Sequence, residues 1–424
     1  MSVAVDAGSG ATTAPRPDRS PRSHSRWVLV PGGLIGLLLL LSALRVLTGA
    51  DEISSSGTIA ATLAAAVPIG LAGLGGLWSE RAGVVNIGLE GMMILGTFGA
   101  GYLGFFYSPW QGVVGAALFG AAGGLVHAIA TVGFGVDHIV SGVAVNIIAL
   151  GAVQYLAAQS FTGVEGGGAT QSPTIPDLPS LTIAPLSDPL GTLEDTGWFM
   201  VSDLAALLRA LVTNLSVLTM ISLALFALTW FVLWRTAFGL RLRSCGESPE
   251  AAESLGVNVM RYKYIAVVVS GALAGLGGGF LALVASSTFR DGQTGGRGYI
   301  GLASMIFGNW RPGGLLAGAG LFGYTDTLRL RSGGESVHAL LLLVAVLLLA
   351  IAVWQWRRGE RIAAGVSVLI AAGAALWFAL SDAVPGDFTG MTPYVTTLLV
   401  LALASQRLRM PAADGRAYRR GSAG

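Results

Sequence analysis

GLRLRSCGESPEAAESLGVNVMRYKYIAVVVSGALAGLGGG, from Gly239 to Gly279, sets a short charged segment directly against a long apolar one. Ser248 can cap a helix that begins with Pro249, Glu250 adds a favourable charge to its first turn, and Gly256 can end it. The segment is too small to be a catalytic domain, and its helix signals set it apart from a passive connector. The sequence then stays apolar over about 264–285, close to the roughly 20 residues that a membrane-spanning helix needs. The pattern predicts a membrane protein that presents one short helix at its surface, a shape suited to docking a soluble partner.

The rest of the chain agrees. Of 424 residues, 53% are hydrophobic and 11% charged, against about 25% charged in soluble domains. Further apolar runs lie at about 27–47, 59–77, 84–107, 112–134, 139–160 and 213–234, then at 338–355, 363–381 and 392–404. We expect an all-α, polytopic membrane bundle of about ten crossings. Residues 1–26, rich in Pro, Ser and Arg, read as a disordered cytoplasmic tail. Arg16, Arg19, Arg22 and Arg26 precede the first run without a small-residue cleavage site, so that run reads as a retained span. Residues 161–200, with Pro173, Pro176, Pro179, Pro185 and Pro189, read as a polar outer loop, and Trp198 and Phe199 suit an interface before the next span.

Basic residues set the orientation. With the N-terminus inside, the loop 235–263 also falls inside, carrying Arg235, Arg241, Arg243, Arg261 and Lys263. Keeping Arg357, Arg358 and Arg361 inside requires 300–323 to enter and return as two half-helices, broken at Asn309–Gly314. That arrangement leaves Arg290, Arg297, Arg329 and Arg331 outside and puts both termini in the cytoplasm.

Several chemistries are excluded. Cys245 is the sole cysteine, so no internal disulfide forms, and four histidines without HExxH make a metal centre unexpected. Lys263 is the sole lysine and follows no Gly-rich loop, so a P-loop is absent and ATP cannot be hydrolysed by that route. Gly99, Gly101 and Gly104 have dinucleotide-fingerprint spacing but lie within a span rather than after a strand.

Four polar residues inside apolar runs are candidates for a solute pathway: Asn86, Glu90, Asn146 and Gln154. A carboxylate in hydrocarbon costs about 2.5–3.5 kcal/mol on insertion scales, so Glu90 should face a cavity or a partner. Its i,i+4 spacing from Asn86 would put both on one helical face, while a purely structural network is the competing reading. Asn146 and Gln154, eight residues apart, suit a neutral polar solute or interhelical hydrogen bonds. His127 reads as a packed histidine, and Asp137 and His138 as loop residues. Gly271, Gly275 and Gly279 form a small-residue face for close helix packing. The hexapeptide LAGLGG occurs at Leu71–Gly76 and again at Leu273–Gly278, in spans of opposite direction, as inverted repeats would place it or as chance would in a chain with 62 glycines.

Three motifs, ERAGVVNIGLEGMM at Glu80–Met93, FGLRLRSCGESPEAAESLGVN at Phe238–Asn258 and GYIGLASMIFGNWRPGG at Gly298–Gly314, resemble the membrane subunits of bacterial ABC importers. The resemblance is to the branched-chain amino acid/ribose permease superfamily, and within it to nucleoside or simple-sugar permeases. It implies a type II ABC importer-like bundle in the bacterial cytoplasmic membrane, with a permease core at 27–336. The resemblance fades after about residue 336, where the apolar runs read instead as an added helical hairpin at 337–390, followed by a last span at 391–406 and a cytoplasmic tail at 407–424. The implied partners are an ABC ATPase subunit, a second related permease and an extracytoplasmic solute-binding protein, with no nucleic acid. ATP would be hydrolysed by the partner, and this chain would bind no cofactor. Glu247, Ser248, Pro249, Glu250, Ala251, Ala252 and Gly256 would then couple to the ATPase, with Ala251 and Ala252 small enough for close packing in its groove. The competing expectations are a branched-chain amino acid permease of the same superfamily and an ion-coupled secondary transporter working through Glu90 or Asp137.

Overall fold

The computed structural model describes residues 24–331, 333–389, 391, 395, 408–419 and 421. Most of the expected N-terminal tail and nearly all of the expected last span, 391–406, lie outside these residues. The chain runs through α1 (His24–Thr48), α2 (Ser56–Arg81), α3 (Leu89–Phe106), α4 (Pro109–Ala128), α5 (His138–Phe161), α6 (Ala184–Glu194), α7 (Val201–Val212) and α8 (Val217–Arg235). It continues through α9 (Ala237–Glu247), α10 (Pro249–Ser254), α11 (Val259–Phe280), α12 (Arg297–Phe307), α13 (Pro312–Arg331), α14 (Gly333–Arg357), α15 (Arg361–Leu380) and the short α16 (Gly386–Thr389). Single π-helical turns extend α4 to Gly133 and α11 to Ala285. Eight helices among the described residues are long and apolar enough to cross a membrane: α2, α3, α4, α5, α8, α11, α14 and α15. The protein is a polytopic helical membrane protein.

Small residues set its centre. A Cβ on Gly271 or Gly275 of α11 would strike the Gly120 or Ala116 carbonyl oxygen of α4 at 2.3 and 2.2 Å, so these two backbones touch. Gly279 lies against Ala116 in the same seam. The two LAGLGG copies cross antiparallel: Gly75 abuts Ser270 and Ala274, and Gly277 abuts Pro68 and Leu71. Such contact gains dispersion and weak backbone interactions that a larger side chain would block.

The segment after α11 is the element the sequence marks as broken. α12 has 11 residues and α13 has 20, joined by a turn in which Asn309 and Trp310 hold φ of 54° and 52°. Both arms lie along α2. Gly301 meets Ile69 and Gly73, while on the return Leu315 meets Gly73 and Gly323 meets Thr62 and Ala66. The return arm is thus a full-length helix, not a half-helix, because it follows α2 back until Arg331 pairs with Glu52 at 3.5 Å. The turn itself is pinned to the far end of α2: the Trp310 indole donates to Glu80, and Arg81 donates to the Trp310 carbonyl at 2.6 and 3.1 Å.

Residues 161–200 are less irregular than their prolines suggest. α6 and α7 form a cap closed by a two-stranded ladder, β1 (Ser180–Leu181) with β2 (Leu215–Ser216). The buried Asp203 of α7 pairs with Arg45 at 3.0 Å and accepts from Ser54. Burial opposes ionisation of Glu194, yet the Ser56 amide and Arg209 at 2.9 Å hold its carboxyl below the usual range. On the opposite face, α9 precedes α10, a helix the sequence reading did not resolve.

Candidate functional site

The candidate site is built on Ala82–Gly88, a non-helical link between α2 and α3 set deep in the bundle. Irregular backbone at membrane depth persists only where the protein satisfies its polar groups, and here side chains from four helices do so. Ser79 of α2 donates to the Val84 carbonyl, and Lys263 of α11 to that of Gly83 at 3.3 Å. The His138 Nδ1 of α5 accepts from the Val85 amide at 3.3 Å, which fixes that nitrogen as unprotonated. His127 of α4 lies 3.1 Å from the Val85 carbonyl through Nε2 and 2.8 Å from Ser141 through Nδ1. Asn146 of α5 donates to Ile87 at 3.1 Å and accepts from the Gly91 amide of α3 at 2.7 Å. The sequence left His127 and His138 as a packed and a loop residue. No local pattern reveals that both grip one distant residue, Val85, by its amide and its carbonyl.

Asn86 lies within this link, with α3 beginning only at Leu89, so it shares no helical face with Glu90. It is fully buried, donating to Ser270 at 2.9 Å and accepting from Gly88 at 3.0 Å, and it lines no open surface. Its role is to shape the link. The expectation of a shared face failed because Gly83 and Gly88 end and delay the helices that the apolar run suggests.

Glu90 caps the other interruption. Its carboxylate accepts from the Gly296 amide at 2.9 Å and from the Gly298 amide at 2.7 Å, at the N-terminus of α12. A helix start carries unsatisfied N–H groups and a partial positive charge, so a carboxylate there is stabilised without any cation. The glycines are required: a Cβ on Gly298 would stand 2.6 Å from the Glu90 backbone, and Gly296 has φ of 80°. Beside this cap, Asn146 donates to the exposed hydroxyl of Tyr299 at 3.0 Å. Two turns further along α5, Gln154 donates to Asp291 at 2.9 Å. The sequence candidates therefore divide. Glu90 and Asn146 meet around Gly91 and α12, Gln154 marks a second point on the same open side of α5, and Asn86 stays inside. Tyr299 and Asp291 were not singled out, since their significance depends on where residues 286–299 fold back.

At the opposite face, Ser248 occupies the N-cap position of α10, but its side chain makes no capping bond. Pro249 and Ala252 are buried, Ala252 against Cys245 and Val259, so Ala252 packs inside this chain and cannot enter a partner's groove. The free side of α10 carries Glu250, Ala251, Ser254 and Leu255, the last 85% exposed, and Gly256 ends it at φ of 80°. Glu247 closes α9 and lies 3.8 Å from Arg81. Burial pushes the Cys245 thiol up to about 11, which keeps it an unreactive core group. Among the described residues, no group of three or more His, Cys, Asp or Glu is arranged to hold a metal.

Residues 58–353 match the model of a family described as the branched-chain amino acid transport system / permease component. The chain belongs to that permease family. It is 39% identical over 277 residues to the guanosine ABC transporter permease protein NupQ of Bacillus subtilis, covering 64% of this chain and 81% of that protein. It is 31% identical to the nucleoside ABC transporter permease protein NupC of Lactococcus lactis, covering 85% and 96%. A putative glucose ABC transporter permease protein, TsgC13 of Haloferax volcanii, is 34% identical over 67% of this chain and 80% of its own. No solved structure matches. This permease is thus the membrane component of an ABC importer, and its family match ends inside α14.

Proposed function

We propose that this permease moves a nucleoside inward by alternating access, along the open side of α5 past Gln154, Asp291, Asn146 and Tyr299. The observation that carries the reading is the uncharged Asn146–Tyr299 pair, an amide and a hydroxyl held in place by the Glu90-capped start of α12. Amide and hydroxyl groups match the hydrogen-bonding edges of a base or a ribose without demanding a charge on the solute. Relatives described as guanosine and nucleoside permeases support the same class. A simple sugar is the second reading, favoured by the similarity to the putative glucose permease.

The free side of α10, centred on Leu255 with Glu250, Ala251 and Ser254, is the docking face for an ABC ATPase. A second related permease completes the pathway, and an extracytoplasmic solute-binding protein delivers the solute to the α6–α7 face. The basic residues of loop 235–263 support a cytoplasmic position for α10, and for the residues 408–419 that touch it, in a bacterial cell. The test is uptake of labelled guanosine into proteoliposomes holding this chain alone or with the full set. ATP-driven uptake by the full set only is expected. Uptake by the chain alone under an ion gradient would replace the importer reading with a secondary transporter. Uptake of glucose but not guanosine would leave the architecture and change the solute.

A further inference from the structure

The last described segment, Leu408–Arg419, is folded onto the docking face rather than trailing from it. Its Arg409 amide donates to Asn309 at 2.7 Å, in the turn between α12 and α13. The Ala413 amide donates to the Gly246 carbonyl at 2.9 Å, and the Ala412 amide to Glu247 at 3.3 Å, at the end of α9. Gly83, Gly246 and Ala413 meet so closely that a Cβ on Gly83 would lie 3.1 Å from Gly246 and 3.3 Å from the Ala413 carbonyl oxygen. Asp414 is buried, its carboxyl beside that of Glu80. Tyr418 packs with Cys245, Ala252 and Val259, and Lys263 Nζ lies 5.9 Å from its ring. One short segment thus touches the docking loop, the turn at Trp310, and the non-helical link whose other side holds Asn86 and Asn146.

We propose that residues 408–418 form a transmission strap, which converts displacement of the α9–α10 loop into movement of the Ala82–Gly88 link and so of the solute site. The physical argument is contiguity. The link has no helix of its own to follow the loop, Gly246 of the loop abuts Arg81 and Gly83 directly, and the strap clamps that contact, with Ala413 bonded to Gly246 and lying against Gly83. Pro411, Ala413 and Asp414 are buried while Ala412, Gly415 and Arg416 are exposed, so the strap is a built part of the face. The groups facing Asp414 are Glu80 and Arg81 of α2 and Lys263 of α11, with Glu247 and Cys245 of α9, His138 of α5 and Tyr418 in the surrounding shell. Burial, ahead of every other influence, pushes the Asp414 carboxyl up to about 7. A released strap would have an ordinary carboxylate, so seating takes up a proton. The strap is therefore held fully below the ordinary carboxylate range and loosens as pH rises through about 7.

The inference rests on α10 being the ATPase-docking helix, and the experiment separates the two. The reconstituted full set is compared with variants in which a protease site ahead of Leu408 is cut after assembly, in which Ala413→Pro removes the amide bonded to Gly246, or in which Asp414→Asn removes the titrating group. ATPase retention, ATP hydrolysis and labelled guanosine uptake are measured together, with Leu255→Glu as the docking control. Cut and Ala413→Pro complexes are expected to keep their ATPase and hydrolyse ATP while moving at least about tenfold less solute per ATP, a loss equivalent to one decade in coupling. Asp414→Asn is expected to keep coupling but lose the wild-type decline that runs from about pH 4 to about pH 7. Wild-type coupling in the cut and Ala413→Pro complexes overturns the strap, as does loss of the ATPase from them, which would make the segment a docking surface only. A wild-type decline with pH in Asp414→Asn overturns the carboxyl as the latch. If Leu255→Glu retains and couples its ATPase, the docking reading fails, and the strap is judged on the cut complex alone.

Discussion

At the scale of residues, the protein spends its few intramembrane polar groups on backbone. Glu90 is the sharpest case, because both of its carboxylate oxygens are committed to amides of α12. Glu90→Gln keeps one acceptor but turns an N–H₂ toward the other amide. The lost charged hydrogen bond is worth about 1.5–3 kcal/mol. The variant should reach the membrane, unfold at lower temperature and transport poorly. An unchanged melting temperature and uptake would show that the cap does not matter. Tyr299→Phe is the complementary test, since it deletes one hydroxyl at the open side and leaves Asn146 its bonds to Ile87 and Gly91. A neutral hydrogen bond of about 0.5–1.5 kcal/mol corresponds to a roughly two- to tenfold rise in KM for the solute, without a change in thermal stability. An unaltered KM would remove Tyr299 from the pathway. Glu90 was legible from its cost in hydrocarbon, but Tyr299 was not, because an aromatic near a glycine run carries no signal until the 286–299 segment is placed.

At the scale of elements, sequence signals fixed where helices begin and end better than which side of them is free. Pro249 and Gly256 bound α10 where the capping pattern put them, and Asn309–Pro312 is the turn that the glycines and proline announced. The working side of α10 was not legible, since it depends on α9 and on Tyr418, which lies far along the chain. That difference separates two substitutions three residues apart. Ala252→Leu overfills the contact with Cys245 and Val259 and should destabilise the loop by about 1–3 kcal/mol, seen as a lower unfolding temperature of the permease alone. Leu255→Glu leaves that packing intact and should abolish ATPase retention with no change in unfolding temperature. If both variants behave alike in the two measurements, α10 has no distinct docking side. The link Ala82–Gly88 makes the same point from within the bundle: its apolar sequence reads as the start of a span, and the converging side chains of α2, α4, α5 and α11 hold it open.

At the scale of the whole molecule, the hairpin α14–α15 stands apart from the core. α14 meets the remainder through Ala339, which packs with Leu44 and Ile53, whereas α15 is held to α14 by His338 against Phe378 and Ser367 on Gln355. The outer side of α15 is open, with Ile362 87% and Leu369 74% exposed, the composition of a lipid-facing surface. The two ends of the hairpin meet, since the Val384 amide donates to the Gly334 carbonyl at 3.1 Å. A chain with residues 335–383 excised can therefore be rejoined at Gly334–Val384 without spanning a gap. Excision removes two antiparallel crossings, so every segment after the junction keeps its side of the membrane, including the strap beneath α9. We expect the shortened protein to insert, to carry a C-terminal reporter on the same face as the intact chain, and to support ATP-driven uptake with its partners. Its melting temperature should fall only modestly, because the deleted surface is mostly hairpin against itself and lipid. A reporter that changes sides would show that the hairpin does not cross as a pair. Correct topology with no uptake would instead give the hairpin a part in transport, through α14 and its contact with α1 and Ile53.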